Sequence, residues 1–272
     1  YRVLVLERGK RFRDHDYAKT NWAVWKYLWA PALRCFGILQ ISAFKDIFVL
    51  HGSGVGGGSL GYSNVLEQPD RKTLSEPGWT HPHDWQAVLE PHYQTAKKML
   101  GVSPNPKLWP ADHLMRSIAA DLNQAGSFRP TQVGVFFSSP ELEGQEVPDP
   151  YFDGAGPRRA GCNHCGACMI GCPNNAKNTL DKNYLYLAEK LGAQVLPESE
   201  AVDIHPLPSE QPDGARFEVI FRKTTGWIVK PTRSVRARNV VLSAGALGTL
   251  RLLFRCRETT HTLPRVSTKL GT

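Results

Sequence analysis

Three features are missing from this sequence of 272 residues. No apolar run approaches the roughly 20 consecutive residues that a membrane-spanning helix needs, which argues against an integral membrane protein. The net charge is +8, yet the basic residues are dispersed and form no Lys/Arg block. We therefore expect an ordinary charged surface and no nucleic-acid partner. No internal repeat is visible, which speaks against a repeat architecture.

The sequence also has no Gly-rich loop ahead of its first predicted strand. The chain starts at Tyr1 and enters an aliphatic stretch, Val3 to Leu6, which predicts a buried strand that ends in Glu7. An acidic residue at the end of the second Rossmann strand binds a ribose hydroxyl, but the Gly-rich loop expected about 20 residues earlier is absent. We expect a fragment, truncated upstream of Tyr1, so that the localisation stays unknown, with the cytoplasm slightly favoured.

Cysteine, by contrast, is concentrated in one place. Four of the six cysteines lie within residues 161–173, GCNHCGACMIGCP. Their C-x2-C-x2-C-x3-C-P spacing is that of bacterial ferredoxins, and it predicts a 4Fe-4S or 3Fe-4S cluster. A structural zinc site, disulfides and unliganded thiols are the alternatives that the spacing leaves open. The predicted metal ligands are Cys162, Cys165, Cys168 and Cys172.

Glycine is concentrated in a second place, the glycine block at residues 54–61, which has five glycines in eight residues. Without side chains, the backbone N–H groups can be approached directly by a pyrophosphate or a planar ring. A short strand predicted at 48–50 precedes the block, and Tyr62 and Asn64 follow it, a setting unlike that of a flexible linker. The block therefore predicts contact with a cofactor.

The remaining patterns predict local structure. Trp22, Trp25 and Trp29 are spaced as one face of a helix that Pro31 ends. This face either packs on the domain, which we favour, or contacts a membrane or a large apolar substrate. His81 and His83 resemble half of a metal site without partners. Helices are predicted at 86–100 and 180–191, and strands at 193–196 and 201–204. Residues 216–221 and 226–229 predict a small antiparallel meander, and 238–243 predict a buried strand.

Several of these segments together resemble the glucose-methanol-choline oxidoreductase family, and within it the bacterial cholesterol-oxidase-like branch. They are Glu7 after its strand, GVGGGSLGYSN at 54–64, NVVLSAGALGTLRLL at 239–253 and LPRVSTKLG at 263–271. The resemblance implies an α/β fold: a Rossmann-like FAD-binding domain with a mixed sheet, helices and a small antiparallel meander, plus part of a substrate domain. Residues 1–272 would then be a fragment of the FAD-binding region that contains the cysteine segment.

The resemblance further implies an FAD enzyme that oxidises the CH–OH group of a hydrophobic alcohol, such as a sterol, by hydride transfer to the flavin. An external acceptor, oxygen or a redox partner, would take the electrons, with the iron-sulfur cluster as a relay. The alternative is a non-catalytic iron-sulfur electron-transfer or metal-binding subunit on a nucleotide-binding scaffold. No catalytic residue is predicted here, because the family's catalytic histidine is expected beyond Thr272.

The resemblance also implies the residues that contact the cofactor. Glu7 would bind the ribose, the glycine block would lie along the pyrophosphate and flavin, and Asn64 would lie at the isoalloxazine edge. Val202 would contact the adenine through its backbone. The complete set of implied FAD contacts is Glu7, Gly54, Gly56, Gly57, Gly58, Ser59, Asn64, Val202, Ala244 and Gly245.

Overall fold

The computed structural model describes residues 1–76, 78, 84–208, 211–226 and 230–271, so His81 and His83 lie outside the described residues. Within them, the chain contains both strands and helices, with small sheets, which confirms the predicted α/β class. The strands are β1 Leu4–Leu6, β2 Trp29–Ala30, β3 Cys35–Phe36, β4 Leu39–Ala43, β5 Phe48–Gly52, β6 Ser103–Pro104, β7 Gln132–Val133, β8 Glu146–Val147, β9 Arg159–Ala160, β10 Gln194–Leu196, β11 Ser199–Pro206, β12 Phe217–Lys223 and β13 Thr232–Ala237. The α-helices are α1 Val24–Tyr27, α2 Arg71–Leu74, α3 Trp85–Leu100, α4 Pro110–Asp121, α5 Tyr184–Lys190 and α6 Gly245–Phe254.

The first strand pairs in parallel with β10, in register from Leu4↔Gln194 to Leu6↔Leu196. Both strands were predicted to within a residue. The prediction that β1 is buried is wrong, because Val3 and Leu4 are 48% and 39% exposed. The reason is that β10 is the only strand that pairs with β1 in the described residues, so the aliphatic side chains remain uncovered.

Strands β11, β12 and β13 form an antiparallel three-stranded sheet, which confirms the predicted meander. Its third strand is β13, after the segment predicted at 226–229, of which 227–229 lie outside the described residues. The buried strand predicted at 238–243 is wrong. These residues are not in a strand, and Val241 is 84% exposed. An aliphatic run forms a strand only where a neighbouring strand can pair with it, and the described residues provide none.

Helix α3 confirms the helix predicted at 86–100. The carboxylate of Asp84 caps its start by accepting hydrogen bonds from the backbone N–H groups of Gln86 and Ala87, and Gly101 ends it in the left-handed conformation with φ +56°. The helix predicted at 180–191 is divided into a 3-10 turn and α5. Asn183 separates the two parts, with φ −135° and ψ −94°, and its side chain caps α5.

The prediction that three tryptophans share a helix face is wrong. Helix α1 has only four residues, and Trp29 lies in β2, where it pairs with Phe36 of β3 and contacts its ring edge-on at 5.8 Å. Trp29 is 5% exposed, whereas Trp22 and Trp25 are 84% and 65% exposed. The chain becomes extended directly after α1, because the β2–β3 hairpin folds back so that Gly37 contacts Tyr27.

At the end of the described chain, α6 continues into a π-helical turn at 255–259, which is held to β11 by one carboxylate. Asp203 Oδ1 accepts hydrogen bonds from Thr262 Oγ1 at 2.7 Å, Thr260 Oγ1 at 2.9 Å and Cys256 Sγ at 3.3 Å. Burial alone would raise the pKa of Asp203, but these hydrogen bonds together lower it to about 2. The ionised carboxylate therefore fastens this turn to the sheet.

None of the described helices is both long and apolar enough to cross a bilayer.

The apolar core consists of separate clusters. Two clusters lie beside the segments singled out above: the glycine block contributes to the first, and the cysteine segment contributes to the second. The clusters are Tyr17, Ile38, Leu39 and Leu60; Val133, Val135, Cys172 and Ala176; and Ile204, Leu252 and Cys256.

Candidate functional site

The glycine block follows β5 and folds into a tight turn that ends in a 3-10 helix at 57–60. Gly54, Gly56 and Gly57 have φ values of +138°, +114° and +57°, which residues with a Cβ rarely adopt. A Cβ placed on Gly57 or Gly58 would meet no atom within 4 Å. The block thus presents bare backbone to open space, as a ligand that approaches the main chain requires.

Glu7 and the block are in direct contact. Glu7 Oε1 accepts hydrogen bonds from Gly9 N at 2.7 Å and from Gly54 N at 3.0 Å. A Cβ on Gly9 would lie 2.3 Å from Gly54 N, so glycine is required for this approach. Burial raises the pKa of Glu7, and the two backbone hydrogen bonds oppose this effect. The end of β1 and the start of the block therefore form one site.

Ser59 and Asp181 close the other side of the turn. Ser59 Oγ donates to Gly56 O at 2.6 Å and accepts from Leu180 N at 2.9 Å. A Cβ on Gly56 would lie 3.0 Å from Asp181 Oδ1. Burial raises the pKa of this carboxyl group. Sequence reasoning missed Asp181, because a lone aspartate 125 positions from Gly56 carries no local signal.

Two polar atoms that flank the block lack a hydrogen-bond partner among the described residues. Ser53 Oγ and Asn64 Oδ1 are both buried. Asn64 also has a φ of +71°. A buried polar atom without a partner costs about 1–3 kcal/mol, so such atoms indicate a missing partner. Both atoms fit a polar ligand bound against the block.

The other implied cofactor residues lie on the second sheet and on α6. Val202 lies at an irregularity of β11, between Ala201 and Asp203, where the register with β12 shifts. Ala244 and Gly245 start α6 and are exposed, and a Cβ on Gly245 would meet nothing within 4 Å. Ser199 N donates to Glu7 O at 2.8 Å, which ties the start of this sheet to the end of β1.

The four cysteines of the predicted ferredoxin-like segment line one small cavity of about 20 Å³, and all four are free thiols. Burial raises the pKa of Cys162 to about 11, and it also raises the pKa of Cys168. In the described part of the chain, no three His, Cys, Asp or Glu side chains are arranged to hold a metal ion. The predicted metal centre thus finds no support in this geometry, since the cavity holds little more than one water molecule.

Lys177 joins the glycine block to the cysteine segment. It is 1% exposed, and its Nζ donates to Leu60 O at 2.9 Å, Tyr62 O at 2.7 Å and Cys168 O at 2.8 Å. Nζ also lies 4.6 Å from the centre of the Tyr62 ring. Burial lowers the pKa of this ammonium to about 8. No sequence pattern indicates this role of Lys177, because all three acceptors are backbone carbonyls.

A second contact between the two segments runs through Asn64. Burial raises the pKa of the Cys168 thiol, and a hydrogen bond with the Asn64 side chain opposes this effect. Arg159, 2% exposed, supports the same region by donating to Lys177 O at 2.8 Å and to Asn178 Oδ1. Residues of the predicted cofactor site and of the predicted metal site are therefore in contact with each other.

Comparison with known proteins gives a consistent picture. The sequence family described as GMC oxidoreductase matches residues 155–259. The chain is 45% identical over its whole length to the cholesterol oxidase of Mycobacterium tuberculosis and 41% identical to that of Acinetobacter baumannii. These alignments cover 46% and 49% of the two relatives, so the chain spans about half the length of the curated relatives it matches.

More distant similarity is found to a long-chain-alcohol oxidase of Arabidopsis thaliana, 26% identical over 90% of this chain and 30% of that protein. A solved FAD-dependent oxidoreductase from Chaetomium thermophilum has a TM-score of 0.41 and 20% identity, over 93% of this chain and 42% of that one. The latter similarity is too weak for a comparison of folds.

Proposed function

Because the chain belongs to the GMC oxidoreductase family, we propose that it forms the FAD-binding part of an oxidoreductase that acts on the CH–OH group of an alcohol. The observation that carries this proposal is the bare backbone at Gly57 and Gly58, in a block whose first residue, Gly54, donates a hydrogen bond to the Glu7 carboxylate. When bound, FAD supplies the hydride acceptor for the oxidation. The activity is assigned to the whole protein, of which the chain is the cofactor-binding part.

The residues near the block suit a dinucleotide. Backbone N–H groups of a glycine-rich turn can bind a pyrophosphate directly. The described hydrogen bonds of Glu7 both end on Oε1, so Oε2 is the atom proposed to accept a ribose hydroxyl. Ser53 Oγ and Asn64 Oδ1, which are buried without partners among the described residues, would find partners on the flavin side. No histidine of this chain is proposed as the catalytic base.

The proposed substrate is a hydrophobic alcohol, and a sterol is the preferred one. Support comes from the relatives, which are named cholesterol oxidases and a long-chain-alcohol oxidase. Oxygen or a redox partner would take the electrons. Turnover of a short polar alcohol without turnover of any sterol would contradict the substrate assignment while leaving the flavin assignment intact.

The flavin assignment is tested by Gly57→Val in the full-length protein. Valine has room here, since no atom lies within 4 Å of the Cβ position, so the side chain would occupy the space proposed for the cofactor. Gly154→Val is a matched control, because Gly154 also has a positive φ, +85°, and an open Cβ position. We expect only Gly57→Val to lose the flavin absorption. Retention of flavin by this variant would show that the block does not contact the cofactor, whereas wild-type protein without flavin would favour the non-catalytic alternative.

We also propose a peripheral membrane contact through the β4–β5 hairpin. The cross-strand pairs Ile41↔Leu50 and Ala43↔Phe48 lie on one face, and Ile41, Leu50 and Phe48 are 53%, 55% and 74% exposed. An exposed apolar face of this kind indicates a protein-binding or membrane-binding surface. We propose the membrane, because a sterol substrate would be held there. Flotation with lipid vesicles tests it: Phe48→Ser should weaken the association, and unchanged flotation would refute it.

The iron-sulfur assignment remains a narrower proposal. It starts from the fact that all four cysteines line one cavity, although no three of these side chains are arranged to hold a metal ion in the described part of the chain. A cluster would require the loop to open, and Gly166 and Gly171, at φ +71° and +103°, lie within that loop. Iron analysis and EPR of anaerobically purified protein test it. Cys165→Ser should abolish the iron signal if the cluster exists, and iron-free wild-type protein would dismiss the proposal.

A further inference from the structure

A second cavity, of about 300 Å³, lies between the segment after β1, helix α1 and the β2–β3 hairpin. Its volume is at the lower end of the range for small-molecule sites, which is roughly 300–1,000 Å³. The proposed flavin contacts do not include any residue that lines it. It nevertheless adjoins the glycine block, because a Cβ on Gly54 would lie 3.1 Å from Lys10 O and from the Phe12 ring.

The cavity is strongly basic. Lys10, Arg11, Lys26 and Arg34 line it, against the single carboxylate of Asp16. Arg11 is already paired, because its guanidinium donates to both carboxylate oxygens of Glu189 at 2.6 and 3.1 Å. Over the whole lining, four basic side chains stand against one carboxylate. Walls with an excess of one charge attract a ligand of the opposite charge, so the occupant should be an anion.

The cations are partly held in place. Lys10 Nζ lies 5.3 Å from the centre of the Phe36 ring. Arg34 has a φ of +57°, an unusual conformation for a residue with a long side chain, at the end of the 3-10 turn at 31–33. A guanidinium can donate two parallel hydrogen bonds to a phosphate, and lysine adds a point charge. This set of donors suits a phosphate better than a single carboxylate.

The remaining walls are aromatic. Phe12, Trp25 and Phe36 line the cavity, and Trp25 is 65% exposed. Aromatic faces contact rings and alkyl groups and contribute little to the binding of a bare inorganic ion. The volume also exceeds what one phosphate group fills. The occupant should therefore carry an organic group in addition to its charge.

We propose that this cavity binds an organic phosphate, with the phosphate on Lys10, Lys26 and Arg34 and the organic part against the aromatic walls. A soluble phosphate ester and a phospholipid headgroup present the same chemistry. The site is separate from the proposed flavin site. A ligand in this cavity would contact Lys10 and Phe12, which lie next to Gly54.

The test uses full-length protein with its flavin bound. Adenosine 5′-phosphate and adenosine are titrated by calorimetry, and vesicles of phosphatidylcholine with and without phosphatidic acid form the lipid arm. We expect binding of at least one phosphate-bearing probe, meaning the anionic phosphomonoesters adenosine 5′-phosphate and phosphatidic acid. We expect no binding of adenosine or of zwitterionic phosphatidylcholine through this site. Lys26→Glu and Arg34→Glu should each weaken binding about tenfold, as expected for loss of a charged hydrogen bond. Lys19→Glu, an exposed lysine outside the cavity with the same charge change, is the matched control.

Three results would overturn the proposal. The first is that neither phosphate-bearing probe binds. The second is that Lys19→Glu weakens binding as much as the cavity variants, which would indicate attraction by the net positive charge of the protein. The third is that the cavity variants lose their flavin, which would make the cavity part of the flavin site. Flavin content thus separates a failure of this proposal from a failure of the proposed function. Binding to only one of the two probe classes supports the proposal and identifies the source of the phosphate.

Discussion

Lys177→Met tests whether the glycine block depends on the cysteine segment for its position. The ammonium of Lys177 donates hydrogen bonds to three backbone carbonyls, two in or next to the glycine block and one in the cysteine segment. Methionine has a similar length and fills the same space, but it donates no hydrogen bond. The substitution therefore removes the connection and leaves the packing nearly unchanged.

The expected loss follows from two opposing terms. Three carbonyls, one in a buried and two in partly buried hydrogen bonds, would lose this donor at a cost of about 2 kcal/mol each, about 6 kcal/mol together. Against this, burial of the ammonium is itself unfavourable: lowering of its pKa from 10.5 to about 8 corresponds to about 3 kcal/mol at neutral pH. We expect Lys177→Met to lower the free energy of unfolding by about 3 kcal/mol.

Urea unfolding followed by tryptophan fluorescence measures this change, and flavin retention measures its effect on the block. Lys190→Met is a matched control. Lys190 Nζ donates to Ala155 O at 2.7 Å and lies 5.2 Å from the centre of the Tyr186 ring, but Lys190 is exposed. Its loss should cost under about 1 kcal/mol. If Lys177→Met costs as little as Lys190→Met, or leaves flavin affinity unchanged, Lys177 does not hold the block.

Two further predictions concern stability. Asp203→Asn should lower the free energy of unfolding by about 1–2 kcal/mol at neutral pH. The folded-state pKa of Asp203 is depressed to about 2, so the carboxylate's contribution is present above its unfolded pKa, near 4, and is lost as the pH falls toward 2. The difference in urea midpoint between wild type and variant should shrink over that range, and a constant difference would contradict the assignment. Gly171→Ala should cost over about 2 kcal/mol, because Gly171 has φ +103° and its Cβ would lie 2.1 Å from the Tyr17 ring. Gly144→Ala, with φ +74° and no atom near its Cβ position, should lower the free energy of unfolding by about 1 kcal/mol. Thermal unfolding measures both variants, and equal losses of stability would show that the Tyr17 contact is unimportant.

Local signals predicted those elements whose ends are marked in the sequence. Helix α3 has a capping aspartate before it and a left-handed glycine after it, which are the residues that commonly mark the two ends of a helix. Strand β5 and the glycine block were found because glycine spacing reports backbone conformation directly. The cofactor contacts themselves stay predictions, and the hydrogen bond between Gly54 and Glu7 was not predicted.

Other features depend on partners that no local pattern identifies. The tryptophan spacing fits a helix, but Trp29 pairs with Phe36 in a hairpin, and that pairing decides its conformation. The run at 238–243 is aliphatic enough for a strand, yet the described residues offer it no neighbour. Lys177 and Asp181 lie more than 100 positions from the turn they support, so their roles follow only from the fold.

The cysteine segment illustrates how far packing alone can explain a metal-like motif. Cys162 and Cys172 lie in an apolar cluster with Val135, and burial raises the pKa of Cys162, so this thiol behaves as a small apolar side chain. Cys168 is fixed by its contacts with Lys177 and Asn64. Cys165 is different, because it is exposed and packs into no apolar cluster of the described residues. Its sulfur accepts a hydrogen bond from Asn174 Nδ2 at 3.3 Å. Contacts within the fold therefore account for all four positions of the motif, and the spacing alone is no evidence of iron.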